Sequence, residues 1–325
     1  MRRYCGVDAM VAVRINHLKY RYPYAKTLAL NNISCEIAAG EFIGVIGANG
    51  AGKSTLAQAL LGLVPNLYHG AYGGSVEVDG CNVKTTSIDV PCRKVGLVFQ
   101  NPFNQITGAK LTVYEEIAFG LENLGISQQE MNRRVENIME LLRIDDIRNA
   151  SPYGLSGGQM QRMVIAGTLV MQPDIIVLDE PTSQLDPQGA KEVFSAAEAL
   201  KQQGKTIIMV EHKMEKIAQY SDRVMLLSGG SLIDFDTPQC IFSREDLETY
   251  GVHPPVYTQV CKELSLRCTN GLYPTTLHDA VEVLRAGGAA PGAPDTASTP
   301  SAPDTASTPS VPDTTCVPAK TKERV

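Results

Sequence analysis

Along most of this 325-residue chain, unbroken apolar runs alternate with stretches whose apolar positions recur every three or four residues. Residues 41–46 (EFIGVI), 95–100 (VGLVFQ), 174–180 (DIIVLDE) and 205–211 (KTIIMVE) are such runs. Continuous rather than alternating apolarity predicts strands buried on both faces, as in a parallel α/β sheet. Residues 12–20 alternate, and residues 33–37 and 75–78 read as strands closed by Gly40 and Gly80, so the N-terminal part is β-rich. Helical spacing predicts a helix over 55–63 and a helical insert over 112–143. In the insert, Val113, Ile117, Phe119 and Leu121 precede a break at Gly125, and Met131, Val135, Ile138 and Leu142 follow it. Ser127 with Glu130 predicts a capping box at the start of the second helix. Further helices are predicted after residues 155–162 (LSGGQMQR), over 188–203, and over 256–266 and 275–286, with a hairpin of 223–227 and 231–236 through Gly229 and Gly230. From Gly287 the chain is Pro, Ala, Ser and Thr, with APDTASTPS twice in tandem. A tract with so little apolar side chain is expected to be an extended, disordered tail.

The first candidate chemistry lies between the run at 41–46 and the helix at 55–63. Gly47, Ala48, Asn49, Gly50, Ala51, Gly52, Lys53, Ser54 and Thr55 fit the phosphate-binding pattern G-x-x-x-x-G-K-[ST]. Residues without a Cβ let the backbone curl and aim its N–H groups at an anion. Lys53 is then the cation for the β- and γ-phosphates, Ser54 the hydroxyl for Mg²⁺, and the following helix presents its positive end. A glycine-rich surface turn with a chance Lys-Ser is the bland alternative, and the strand–loop–helix flanks argue against it.

Asp179 and Glu180 close the run at 174–180. Asp179 is placed to hold Mg²⁺, and Glu180 to orient and deprotonate an attacking water. Ser156, Gly157, Gly158 and Gln159 open a predicted helix and make a second potential anion site, more than one phosphate chain needs. His212 follows the C-terminal end of a predicted strand, where open α/β sheets place ligands, although taken alone such a histidine is more often structural. Gln100 precedes Asn101-Pro102: an amide there can ligate Mg²⁺ or hold water, but the residues alone favour a simple turn. Tyr22, beside Pro23 and Tyr24, is evenly balanced between stacking on an adenine and packing on the first sheet.

Composition narrows the partners. A net charge of −6 argues against a chain whose main task is to hold nucleic acid. No run of about twenty apolar residues is present, and the N-terminus lacks an apolar segment before Arg14, so neither a membrane span nor a secretory signal is expected. Eight scattered cysteines form no close pairs of the zinc or redox-dithiol kind and are expected to be reduced and mostly buried.

The ordered set of glycine loop, LSGGQ, apolar strand with Asp179-Glu180 and downstream His212 resembles the ATP-binding subunit of ATP-binding cassette (ABC) transporters over residues 13–236. The resemblance implies an α/β P-loop NTPase with a RecA-like core, an N-terminal antiparallel β subdomain and an α-helical signature subdomain near 101–172. It implies domains at 1–250 for ATP and 251–286 as a small C-terminal α-rich extension, before the 287–325 tail. It implies that residues 47–55 are the Walker A loop and that Tyr22 stacks on adenine. Gln100 is then the Q-loop residue, Asp179 and Glu180 the Walker B pair, Ser183 to Asp186 the D-loop, and His212 the switch histidine. Two such domains pair head to tail in that family, which implies that Ser156, Gly157, Gly158 and Gln159 close over ATP held by a partner. Softer motifs, KYRYPY, VGLVFQNPFNQI and HPPVYTQVCKEL, are similar to those of energy-coupling factor (ECF) ATPases of vitamin and metal-ion uptake. Departures are Gln184, where the D-loop often has glycine, and Glu211 and Lys213 around His212, where threonine and aspartate are common. The expected partners are a second cassette and integral membrane subunits. An exporter subunit, or a soluble ABC ATPase acting on DNA or ribosomes, remains the alternative, the latter disfavoured by the missing basic face, coiled-coil arms and second cassette.

Overall fold

The structure, a computed structural model, describes residues 10–287, so the tail expected beyond Gly287 lies outside the described residues. The strands are β1 (Val11–Arg21), β2 (Leu30–Ala38), β3 (Phe42–Ile46), β4 (Ala71–Val78), β5 (Cys81–Asn82), β6 (Val95–Val98), β7 (Ile175–Asp179), β8 (Thr206–Val210), β9 (Arg223–Ser228) and β10 (Ser231–Asp236). The α-helices are α1 (Lys53–Leu60), α2 (Leu63–Asn66), α3 (Asp89–Lys94), α4 (Val113–Asn123), α5 (Gln128–Leu141), α6 (Gly157–Leu169), α7 (Pro187–Gln202), α8 (Met214–Tyr220), α9 (Pro238–Phe242), α10 (Val256–Glu263) and α11 (Leu277–Gly287).

Every residue of β3, β7 and β8 is buried, as their continuous apolar runs require of strands covered on both faces. They form the centre of a six-stranded sheet ordered β10-β9-β3-β8-β7-β6, parallel apart from the β9–β10 hairpin. The alternating N-terminal strands make a separate antiparallel sheet, β2-β1-β4-β5. Register levels the C-terminal ends of the parallel strands: Val45 and Asp179 both lie opposite Val210, and Val98 lies opposite Leu178. Loops leaving β3, β6, β7 and β8 therefore emerge at one edge.

One hydrophobic cluster joins the small sheet through Val13, Ile15 and Leu18 to α1 and one face of the large sheet. A second joins Val113, Ile117 and Leu121 of α4, Val135 and Ile138 of α5 and Met163 of α6 to Phe194 of α7 and the opposite face. The helical insert is thus fastened to the sheet through its own apolar stripes. A small cluster of Cys261, Tyr273 and Ala280 holds α10 and α11.

Three expectations change on the structure. Ser127 is the N-cap of α5 but makes no side-chain cap bond, and the Glu130 carboxylate, which a capping box would turn back to the Ser127 N–H, is held instead by Arg133 and Arg134. Capping boxes form instead at Thr112 with Glu115 on α4 and at Ser156 with Gln159 on α6. Among the six described cysteines only Cys261 is buried, so the thiols are free but not mostly buried. The strand expected to run to Gln100 ends at Val98, and the one expected to run to Glu211 ends at Val210, leaving both polar residues in loops.

Phe194 is fully buried on α7, with its ring stacked on Tyr220 at 5.2 Å between centroids. Phe194→Ala is expected to cost about 3–5 kcal/mol, read as a lowered midpoint in urea unfolding.

Candidate nucleotide site

Gly47 follows the last residue of β3 and turns the chain at φ +149°. A Cβ there would come within 2.2 Å of the Leu227 carbonyl oxygen, so the close approach to β9 admits only glycine. Gly50 has φ +78° and open space around it, leaving room at the loop's tip for a ligand's oxygens. Gly52 is the N-cap of α1 and brings no side chain, so the first-turn N–H groups of the helix stay available to an anion. Ala48 is half-buried, Asn49 exposed, and Ala51 and Thr55 buried beneath the loop. Lys53 is buried, and its Nζ donates to the carbonyls of Gly47 at 2.8 Å and Ala48 at 3.0 Å. Burial lowers its pKa, and the charges of Glu180 and Asp179 oppose that shift.

Around the loop lies a cleft of about 560 Å³, lined by Asn49, Gly50, Lys53, Ser54, Gln100, Glu180 and His212. Its volume falls in the range of about 300–1,000 Å³ common for small-molecule sites. Glu180 is its centre. It leaves β7 at φ +49°, a left-handed conformation uncommon for a residue with a Cβ. Its Oε2 accepts from Gln100 Nε2 at 2.6 Å, and its Oε1 lies 3.0 Å from His212 Nε2. A carboxylate held on two sides in an open cleft has the chemistry to orient a water and accept its proton.

Asp179 is 5 % exposed, and its Oδ1 has no hydrogen-bond partner. Burial raises its pKa; the Ser54 hydroxyl draws it back, Glu180 pushes the same way as burial, and Lys53 opposes. Among the described residues no three His, Cys, Asp or Glu side chains gather as a metal site. One unpartnered carboxylate oxygen beside a serine hydroxyl fits a cation that takes its other ligands from elsewhere, as Mg²⁺ does from phosphates and water.

The remaining sequence-predicted residues stand apart from this cleft. Tyr22 is half-buried, edge-on to Tyr20 at 4.8 Å, and its hydroxyl bonds to Thr55 Oγ1 at 3.2 Å and Gln58 Oε1 at 3.0 Å on α1. It thus touches the helix of the phosphate loop without lining the cleft. Ser156 and Gly157 are exposed at the N-terminus of α6, with Gly158 and Gln159 half-buried behind them, and none of the four lines the cleft. A Cβ on Gly157 would meet Gln184 Oε1 at 2.8 Å, so the segment after β7 leans on the start of α6. Asp186 is the N-cap of α7, its Oδ1 accepting from Gly189 N at 2.9 Å.

Sequence reasoning missed Gln105 and Thr182. Gln105 accepts from Phe99 N at 2.8 Å and donates to Leu97 O at 2.9 Å, pinning the loop that carries Gln100. Thr182 is buried and bonded to Glu211, which drew notice only as a departure from a pattern. No local signal marks either, since both act through partners chosen by the fold.

The sequence profile of the ABC transporter family matches residues 30–183. The energy-coupling factor transporter ATP-binding protein EcfA1 of Latilactobacillus sakei is 42% identical over 238 residues, covering 73% of this chain and 82% of its own. The structure of cbiO1 from Clostridium perfringens, described as part of the ABC transporter complex cbiONQ, superposes with a TM-score of 0.64 at 31% identity, over 78% of this chain and 96% of that one. A dimeric ATP-binding cassette, MJ0796, in a post-hydrolysis state bound to ADP and Pi, superposes with a TM-score of 0.62 at 27% identity, over 70% and 98%. The chain belongs to the ATP-binding subunits of ABC transporters, which are ATPases, and its fold is theirs.

A carboxyl whose pKa is raised by folding binds more protons folded than unfolded, so stability falls as pH rises from the ordinary carboxylate value through the raised one. Nucleotide-free Asp179→Asn lacks this titration. Its melting temperature is expected to match the parent's near the acid end of that window and to exceed it above the window, as thermal scans across pH will show. A variant less stable than the parent at neutral pH would contradict this.

Proposed function

We propose that this chain binds and hydrolyses ATP to energise a membrane transporter of the energy-coupling factor type, taking up a vitamin or a transition-metal ion. The observation that carries the reading is the separation of two half-sites. The cleft gathers Lys53, Ser54, Gln100, Glu180 and His212, whereas Ser156 to Gln159 stand exposed and outside it. Half-sites so disposed complete each other when two cassettes pair head to tail, the loop of one facing the signature helix of the other. The names of the relatives, an energy-coupling factor ATP-binding protein and a component of an ABC transporter complex, support the transport reading.

In this reading Lys53 and the N–H groups of residues 47–55 hold the phosphates, Tyr22 stacks on the adenine, and Asp186 belongs to the D-loop at the interface. Ser54, Gln100 and Asp179 hold Mg²⁺, which neutralises phosphate charge when bound. Glu180 takes the proton of the attacking water and His212 faces the γ-phosphate. Residues 1–250 are the ATP-binding domain, and 251–286 extend it.

Among the described residues no helix is long and apolar enough to cross a membrane, so the membrane path belongs to separate subunits in this proposal, with this chain peripheral on the cytoplasmic face. Exposed Phe103 and Leu111 lie in the segment between β6 and α4 and offer such a subunit apolar surface.

Glu180→Gln keeps the shape but removes the base. It is expected to bind ATP, to hydrolyse it more than about a hundredfold more slowly, and to run as a dimer by light scattering with ATP and Mg²⁺. A monomer under those conditions, with hydrolysis lost, would sink the sandwich. Purified from its native cells in mild detergent, the tagged variant should carry polytopic membrane proteins; ribosomal or DNA-repair proteins in their place would replace the transport reading.

A further inference from the structure

The parallel ladder between β7 and β8 ends at the pair Asp179 and Val210. Beyond it one backbone bond remains, from Glu180 N to Val210 O at 3.0 Å, and the two segments then diverge. Glu211 sits at this fork, 4 % exposed, with no part in the roles assigned above. Its Oε1 accepts from the Thr182 backbone N–H at 3.2 Å and also from the Thr182 hydroxyl. Its Oε2 accepts from the His212 backbone N–H at 3.0 Å. Lys213 Nζ donates to Thr182 O at 3.3 Å from the same loop. Both carboxyl oxygens are thus committed, one to each of the segments that carry Glu180 and His212.

We propose that Glu211 is a positioning residue for ATP hydrolysis, its carboxyl group standing in for the next rung of the ended ladder and clamping the His212 backbone to Thr182. The inference rests on the reading of Glu180 as base and His212 as the phosphate-facing histidine. Its physical ground is that a buried acceptor serving three donors leaves its neighbours little freedom. The 3.0 Å meeting of Glu180 and His212 is made at the cleft by an exposed imidazole whose anchor is its own backbone. Loosening that anchor misplaces the ring without touching the phosphate loop.

Glu211→Gln keeps the volume but replaces one acceptor oxygen with a donor, so the side chain cannot accept from Thr182 and His212 together. Single-turnover and steady-state ATPase measurements on the full chain compare the parent, Glu211→Gln, His212→Ala and the double variant. Glu211→Gln is expected to lower kcat about ten- to hundredfold with KM within about twofold. In the His212→Ala background the same change is expected to cost less than about twofold, because a residue acting through His212 has nothing left to position. An unchanged kcat, or an equal loss in both backgrounds, overturns the proposal. Should Glu211→Gln not fold, Thr182→Val removes only the hydroxyl donor. A fall in its kcat that vanishes with His212→Ala supports the clamp, and equal falls overturn it. A His212→Ala variant with parental kcat overturns the clamp and the reading of His212 together, whereas a defect in His212→Ala without one in Glu211→Gln removes the clamp alone.

Discussion

Burial of β3, β7 and β8 on both faces is the constraint from which the site follows. Strands with no polar side to show lie in the middle of a parallel sheet, and strands running the same way send every loop that leaves them out at the same edge. Level register turns that topological fact into chemistry: the glycine loop leaves β3, Gln100 leaves β6, Glu180 leaves β7 and His212 leaves β8 within one cleft. Ligands in open α/β sheets sit at this edge for the same reason.

Apolar burial also decides what the polar groups there can do. Lys53 and Asp179 are taken out of water by the same packing that stabilises the sheet, and each pKa moves towards the neutral form. The cost is met locally: Lys53 rests on two backbone carbonyls, while one oxygen of Asp179 stays without a partner. Opposite charge placed beside either group would oppose that shift, an anion for the lysine and a cation for the aspartate. Glu180, in a left-handed conformation of a kind that costs on the order of 1–3 kcal/mol, is kept there by Gln100, His212 and its own N–H bond to Val210.

The helical insert and the core share a boundary at which the fold couples distant motifs. Gln184, after β7, packs against Gly157 at the head of α6, and Glu192 of α7 accepts from Arg162 of α6 and from Arg143. Gln184 lies four residues after Glu180, so the segment that follows β7 touches the head of α6 within one chain.

The sequence by itself determined whatever depends on neighbours along the chain. The glycine loop, the buried strands, the β9–β10 hairpin and the helix pair of the insert were legible because periodicity and Gly, Lys and Ser spacing are local properties. Local reasoning also failed locally: Ser127 has the spacing of a capping box, but Arg133 and Arg134 outbid its backbone for Glu130. Only the tertiary structure decided which side chains meet. Its neighbours alone read Gln100 as part of a turn and only a family resemblance pointed elsewhere, whereas the sheet sets it 2.6 Å from Glu180, 80 positions on. Glu211 carried no motif, and its meaning comes from Thr182, 29 positions back, brought beside it by parallel pairing. A hydrogen bond spanning such separations is specified by the summed burial of whole strands, and no window of sequence contains that sum.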